Sequence, residues 1–490
     1  MRHGVRRLVL EKQKFVVHRS SYPLRSAFRI LLIRITELNM FVIGSDSLSL
    51  TDAREEANVA EHPRLCAFPP CEALLTLYRQ RGPVINVRRR DTVILLGAAA
   101  NEFVFTNSDA FSWREAFEEL IPVDGPTALI VSDGDDHRRR RGFALPALQH
   151  RRVGDYVQTM AVNTDAVIDA WLPGTRVDIF QQFRSVIRRN TAECLFGPRI
   201  AVHADYLGEQ LQPLIDLTNL NPSRRRLHRW LGSPFARRAK ASRERIDELV
   251  DAVIADSRLR PRADDRMLTT LISGRADRCE SLSDNEIRDM IVSLIADGYE
   301  VTSGALAWAI YALLTVPGAW DAAAAEVRRV LNGRPPTPAT LRDLTYLNGV
   351  VHETVRLCTT NSARKVKRDL RFEGHPIRAG QRLIFSAYVT HRLPELWPEP
   401  WEFRPERWDS AAPDYRKPTP YEFIPFGRGL HRCIGSSIAI TQMMVMLARL
   451  VGRTTLRLPP QHIRAHNIAA LRPWPGLTVE IAERASPAAR

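Results

Sequence analysis

Lysine is almost absent from this chain: six of its 70 basic residues are Lys and the rest are Arg. Also missing are a regular cysteine framework, an uncharged apolar run long enough to span a bilayer, an internal repeat, and low-complexity tracts beyond patches of Arg. Each absence removes a class of protein. Cys66, Cys71, Cys194, Cys279, Cys358 and Cys433 are scattered rather than spaced as a disulfide scaffold, which reads as a reducing, cytoplasmic setting. Cys66 and Cys71 lie close together, but a lone C-x4-C is weak evidence for a metal site. The apolar stretch 27–43 is interrupted by Arg29, Arg34 and Glu37, whereas a spanning helix needs about 20 mostly uncharged residues. No signal-peptide pattern precedes it. A spanning anchor is therefore not expected, while a peripheral contact on the inner face of the membrane stays open. The net charge of +15 suits nucleic acid, an anionic surface or an acidic protein. No nucleic-acid module is present and the basic residues are spread along the chain, so nucleic acid is not expected.

What is present reads as one large, mainly α protein with a small β portion. With 490 residues, 44% of them hydrophobic, the chain can bury a sizeable core. Residues 83–87 and 92–96 read as strands around the turn-like 88–91. Helical periods dominate 133–256. Residues 281–316 read as one helix, opened by a capping box of Ser283 with Glu286 and stopped by Pro317. Its length is on the order of 45–50 Å, enough to cross a whole core. Further helices are expected over 320–331 and 344–357, and strands over 371–390 with turns at Gly374 and Gly380.

The densest signal is Phe426-Gly427-Arg428-Gly429-Leu430-His431-Arg432-Cys433-Ile434-Gly435. Glycines let a backbone turn with positive φ and pass close to a ligand. An apolar helical period over 438–450 puts Cys433 just before a helix N-terminus, where a thiolate is favoured. A buried structural cysteine is the ordinary reading of a lone Cys; the spacing Phe-x-x-Gly-x-x-x-Cys-x-Gly argues against it. Gly427 and Gly429 do not make a dinucleotide loop, because no strand–turn–helix unit surrounds them.

That spacing resembles the haem-binding loop of the cytochrome P450 family, and matching motifs follow in family order from His137 to the C-terminal strands. The resemblance implies the cytochrome P450 fold, with a long central helix over haem b (iron protoporphyrin IX). It implies a single domain over 61–485, with 1–60 as a loosely packed or peripheral extension. It makes Cys433 the iron ligand and puts Phe426, Gly429 and Gly435 around the haem. His137 and Arg141, an i, i+4 pair on one helix face, then reach the propionates, joined by His431 and Arg364. Arg138, Arg139 and Arg140 are left for a redox-partner surface. Glu353 and Arg356, three apart on an apolar helix, look like the family's buried Glu-Arg-Arg network, with Arg407 as third member.

Within the central helix, Ala296-Asp297-Gly298-Tyr299-Glu300-Val301-Thr302 matches the family's oxygen-activation segment with two departures. Gly298 fits the point of closest approach to haem, and Glu300 the acid of a proton relay. Asp297 replaces a small residue. Val301 stands where the family has a Thr, so Thr302, a substrate hydroxyl or a water would have to supply the hydroxyl. The resemblance implies a monooxygenase fed by a separate ferredoxin or flavodoxin with its reductase, acting as a monomer on an apolar small molecule: a lipid, terpenoid, sterol or polyketide. Pocket lining is expected from Ala296, Tyr299 and Val301, from near Ser362 and Ala363, and from 467–471. Val301 keeps a peroxygenase or isomerase open as alternatives, and a non-catalytic haem-binding protein is the third. Residues 220–231, which mix Arg with Leu and Trp, are either a solvated loop or a lid at a membrane surface.

Overall fold

A computed structural model describes residues 65–87, 91–220, 222–274, 281–468 and 470–485. The chain divides into two units, Met1–Ile43 and Gly44–Arg490. The first, and the expected extension over 1–60, lies outside the described residues.

In the second unit, helix α1 (Pro69–Arg81) leads into β1 (Val84–Val87) and β2 (Thr92–Leu95), then α2 (Ala98–Thr106), β3 (Phe111–Ser112) and the short α3 (Ile121–Asp124). A helical stretch follows: α4 (Gly134–Leu148), α5 (Val157–Ala170), β4 (Arg176–Asp178), α6 (Ile179–Phe196), α7 (Ala204–Thr218), α8 (Pro222–Trp230) and α9 (Pro234–Leu259). Next come α10 (Asp284–Thr315), α11 (Ala319–Leu331) and α12 (Thr345–Leu357). Strands β5 (Asn361–Val366), β6 (Leu370–Phe372), β7 (His375–Ile377) and β8 (Arg382–Ser386) precede α13 (Ser436–Arg453). The described chain closes with β9 (Thr454–Arg457), β10 (Arg464–Ile468), β11 (Ala470–Trp474) and β12 (Thr478–Arg484).

The small β portion is one five-stranded sheet, in order β1-β2-β8-β5-β3, with a three-stranded sheet β4-β12-β9 and hairpins β6–β7 and β10–β11. Only β2 and β8 pair in parallel within these sheets. The strand expectation over 371–390 needs one correction. After β8 the chain turns helical over Ala387–Thr390, because the Ser386 hydroxyl accepts the Val389 N–H and caps the turn.

Helix α10 runs 32 residues, about 48 Å. Ser283 Oγ accepts the Glu286 N–H, and the Glu286 carboxylate accepts the Ser283 N–H, so the capping box forms as expected. Ile287, Ile291, Ile295, Leu306 and Ile310 are all buried. The helix packs against α6, α9, α12 and α13, so it is enclosed by the helical layer rather than lying on it.

The same Glu286 overturns part of the surface expectation. Arg140 Nε donates to Glu286 Oε1 at 2.8 Å and its Nη1 to Ser132 Oγ at 2.8 Å; Arg139 also pairs with Glu286 and donates to the Ser281 carbonyl at 2.9 Å. Two of the three arginines assigned to a partner surface instead fasten α4 to the start of α10. The cysteines need correction too. Cys66 and Cys358, 292 residues apart in sequence, are 5.4 Å apart at Cα and form a disulfide. Separation in sequence hides such a pair. Cys71 stays a buried thiol, pushed up to about 12 by burial, and no metal-binding cluster exists among the described residues.

Ser283→Ala is expected to cost about 1 kcal/mol, as loss of an N-cap does. Glu286→Ala should cost about 2–3 kcal/mol, because it strands Arg140 as well. Urea unfolding of both variants checks the order.

Candidate functional site

The loop before α13 is held by its own backbone and by a distant ion pair. Gly427 and Gly429 take φ of 61° and 73°, values open to glycine at little strain. The turn they permit brings the Cys433 N–H to the Phe426 carbonyl at 2.8 Å. Gly435 caps α13, and its N–H reaches the Cys433 sulfur. Burial raises the Cys433 thiol above its ordinary pKa, and the Gly435 N–H opposes that rise. The thiol nevertheless has open surface. A thiol that is exposed and yet desolvated lies in a recess of the protein.

The far wall is α10. Asp297 is deep and open in the same way, and its carboxylate is close enough to act electrostatically on the Cys433 thiol. Val301, one helical turn on, is 46% exposed, and Thr302 is buried. The cavity therefore meets Asp297 and Val301, while Thr302 is turned from it by the helical phase.

Other expected wall residues face elsewhere. Gly298 packs on α6, where a Cβ would come 3.1 Å from Thr191 Cγ2, so its smallness serves that helix contact. Tyr299 is fully buried beneath the guanidiniums of Arg184 and Arg188. Glu300 is held bidentately by Arg184, at 2.9 Å from Nε and 2.6 Å from Nη2, with Arg472 at 3.7 Å. Its carboxylate is committed on the α6 side of the helix instead of standing free. Of 467–471, Leu471 is buried and its carbonyl accepts Trp308 Nε1 at 3.2 Å; side chains 467–470 lie outside the described residues.

The basic residues do converge. His137 and His431 stack with ring centroids 3.8 Å apart, and Trp113 stacks on His431 at 4.5 Å. Buried Arg364 lies over the Trp113 ring at 3.6 Å. Among the described residues its hydrogen bonds go to neutral partners, Ser362 Oγ at 3.1 Å and the Ala363 carbonyl at 2.6 Å. Arg141 donates to the Arg432 carbonyl at 2.8 Å, next to Cys433. Burial lowers His137 to about 4 and Arg364 to about 9, and both histidines feel the Arg141 charge. The one nearby carboxylate, Asp133, is already occupied by Ser112 Oγ at 2.6 Å and the Trp113 N–H at 2.8 Å, and lies 3.9 Å from His431. Among the described residues, two arginines and two neutral imidazoles thus surround one committed acid. The arginine charge left over beside an exposed thiol fits a macrocycle that carries two carboxylates and a metal centre. Trp113 and Asp133 give no signal of this role in the sequence.

Behind the loop, the expected three-member network forms and proves larger. Glu353 and Arg356 are fully buried. Arg356 donates to Glu353 from Nε at 2.8 Å and Nη2 at 2.7 Å; Arg407 Nε lies at 3.3 Å and Trp408 Nε1 at 2.9 Å. Arg356 also donates to the carbonyls of His391 (2.7 Å), Pro400 (2.9 Å) and Glu402 (3.1 Å). His391, absent from the sequence reading, carries the connection onward. Its Nε2 accepts the Ile424 N–H at 3.0 Å, two residues before Phe426, so its Nδ1 donates to the Arg356 carbonyl at 2.9 Å.

Comparison with known proteins agrees with this geometry. A family model described as cytochrome P450 matches residues 72–473. The chain is 65% identical over 425 residues to the protein named cytochrome P450 139 in Mycobacterium tuberculosis and Mycobacterium bovis, covering 85% of this chain and 99% of the relative. It is 31% identical to cyclooctatin synthase of Streptomyces melanosporofaciens, covering 83% of this chain and 90% of that one. Among solved structures, retinoic acid bound cyanobacterial CYP120A1 has the same fold, with a TM-score of 0.73 at 24% identity, over 83% of this chain and 93% of that one.

Two outcomes test the support behind the loop. Glu353→Ala leaves Arg356 buried without its counter-charge and is expected to cost about 3–5 kcal/mol; it should yield haem-free, misfolded protein, and a stable, haem-loaded variant would sink the assignment. Burial holds His391 down to about 3. The unfolded state, titrating near the ordinary value, takes up a proton that the folded state refuses, so this contribution is full above about pH 6.5 and is lost as pH falls towards 3. Thermal melts of the parent should fall between pH 7 and pH 5, and His391→Gln should fall less over the same range.

Proposed function

The chain belongs to the cytochrome P450 family and is by that membership a haem b monooxygenase; we propose that Cys433 supplies its thiolate and that one atom of O2 enters a C–H bond of a mainly apolar substrate. The observation that carries this reading is the exposed Cys433 thiol in its glycine-turned loop, desolvated and within electrostatic reach of Asp297 on α10. When bound, haem supplies oxygen activation, with thiolate electron density favouring O–O cleavage.

The chain's own residues have the remaining tasks. The loop from Phe426 to Gly435 positions the sulfur, and the Gly435 N–H favours its anionic form. Arg141 and Arg364 receive the propionate carboxylates as charged donors, with the neutral imidazoles of His137 and His431 beside them. Glu300 passes protons inward when Arg184 releases it. Since Val301 has no hydroxyl and Thr302 faces away, the last proton carrier is a water or a hydroxyl of the substrate. Electrons come from a ferredoxin or flavodoxin docking near Arg428 and Arg432, which are exposed on the Cys loop. The Streptomyces relative named cyclooctat-9-en-7-ol 5-monooxygenase, 30% identical, acts by its name on an unsaturated alcohol, in keeping with a substrate that is mainly hydrocarbon.

Val301 on the cavity wall favours a second reading, peroxide-driven oxygenation. Turnover with ferredoxin, its reductase and NADPH, set against turnover with peroxide alone, separates the two. Leu227, Trp230 and Leu231 on and after α8 are 51%, 81% and 61% exposed, which supports a peripheral membrane contact.

The ferrous carbon monoxide complex is expected to show the spectrum of a thiolate-ligated haem, and Cys433→Ser to abolish it. A Cys433→Ser protein that keeps this spectrum would overturn the ligand assignment. Arg364→Leu is expected to release haem to apomyoglobin roughly tenfold faster, in line with losing one charge-assisted hydrogen bond.

A further inference from the structure

Helix α8 has its amphipathic character inverted. An ordinary surface helix buries its apolar residues and exposes its charged ones. The buried side chain of α8 is Arg225, whereas Leu227, Trp230 and, just past the helix end, Leu231 are 51%, 81% and 61% exposed. At about 100° per residue these three fall in one outward sector, with Arg224 and Arg226 on its two flanks and Arg225 on the far side. The segment is also tied down. His228 Nδ1 lies 2.9 Å from Ser233 Oγ at the start of α9, and the Leu231 N–H donates to the Leu227 carbonyl at 2.9 Å.

Between Leu217 and Arg243 the sequence holds eight basic residues and no carboxylate. Arg226, Arg229, Arg237, Arg238 and Lys240 among them are exposed. The charge alone would suit an acidic protein. The ridge of Leu and Trp between flanking arginines fits a bilayer better, because the acyl boundary takes the apolar side chains while anionic headgroups meet the guanidiniums.

Beneath α8, Arg225 donates to the Thr218 carbonyl at 2.8 Å and pairs with Glu119 at 2.7 Å. Glu119 lies six residues after Trp113. Phe117 stacks on Trp113 with ring centroids 5.1 Å apart, and Trp113 stacks on His431 at 4.5 Å, two residues before Cys433. One short segment therefore touches both the underside of α8 and the basic cluster beside the thiol.

We propose that α8 beds its Leu227, Trp230 and Leu231 face in an anionic bilayer, and that Arg225 and Glu119 transmit this docking to the haem site. This names the partner of the peripheral contact and what it regulates; the transmission rests on the haem-thiolate reading, and the docking does not. A helix seated in the interface takes its position from the bilayer, and the ion pair makes residues 113–119 follow it.

Flotation of the haem-loaded protein with phosphatidylcholine vesicles, with and without phosphatidylglycerol, tests the docking. The Soret band of the same samples tests the transmission. The carbon monoxide spectrum of each protein is recorded first, so that failure of the haem-thiolate reading is seen separately. The parent is expected to bind the anionic vesicles roughly tenfold more tightly than the neutral ones, and to shift its Soret band on doing so. Leu227→Ser combined with Trp230→Ser should weaken that binding roughly tenfold. Glu119→Ala, at a side chain 44% exposed, should keep the binding and lose the Soret shift. A parent that does not float with anionic vesicles, or a double variant that floats as well as the parent, overturns the docking. A Soret band unmoved in the parent, or moved equally in Glu119→Ala, overturns the transmission.

Discussion

The buried pair of Glu353 and Arg356 is the constraint on which the reactive part of the structure depends. Two fully buried charges are a liability unless every donor and acceptor is used. Here nearly all are: Glu353 accepts from Arg356, Arg407, Trp408 and the Arg404 N–H, and Arg356 spends its remaining donors on three backbone carbonyls. Those carbonyls belong to the long connection between β8 and α13, a stretch with little regular structure of its own. The pair thus supplies from the side what a sheet or helix would supply by its ladder. Through His391 it reaches the Ile424 N–H and so fixes where the Cys433 loop begins.

Helix α10 supplies the opposite wall by the same economy of faces. One face meets α6, where Gly298 allows close approach and Glu300 is bound by Arg184. The face that meets the cavity carries Asp297 and Val301. Near it, Arg141 and Arg364 have among the described residues one neighbouring carboxylate, Asp133, which is already occupied. A folded protein seldom buries such charge without compensation, so the two arginines describe what the site is built to receive.

Much of this was legible because it is written locally. The capping box of Ser283 and Glu286 lies within four residues, the Glu353 and Arg356 spacing within one helical turn, and the Cys433 loop within ten residues. Short-range patterns of this kind survive without knowledge of the fold. Several of the errors share a cause: they concerned which way a side chain points once helices meet. Arg139 and Arg140 read as a basic surface until α4 met α10. Tyr299 read as a cavity residue until Arg184 and Arg188 covered it.

By itself, the sequence determined the fold class, the long central helix, the cysteine loop and the residues of its buried support, because these rest on local spacing and hydrophobic period. Only the tertiary structure decided that His391 relays that support, that Trp113 and Asp133 organise the basic cluster, and that Cys66 meets Cys358. Those partners lie far apart in the chain. What joins them is the relative rotation of packed helices, which no single stretch of sequence encodes.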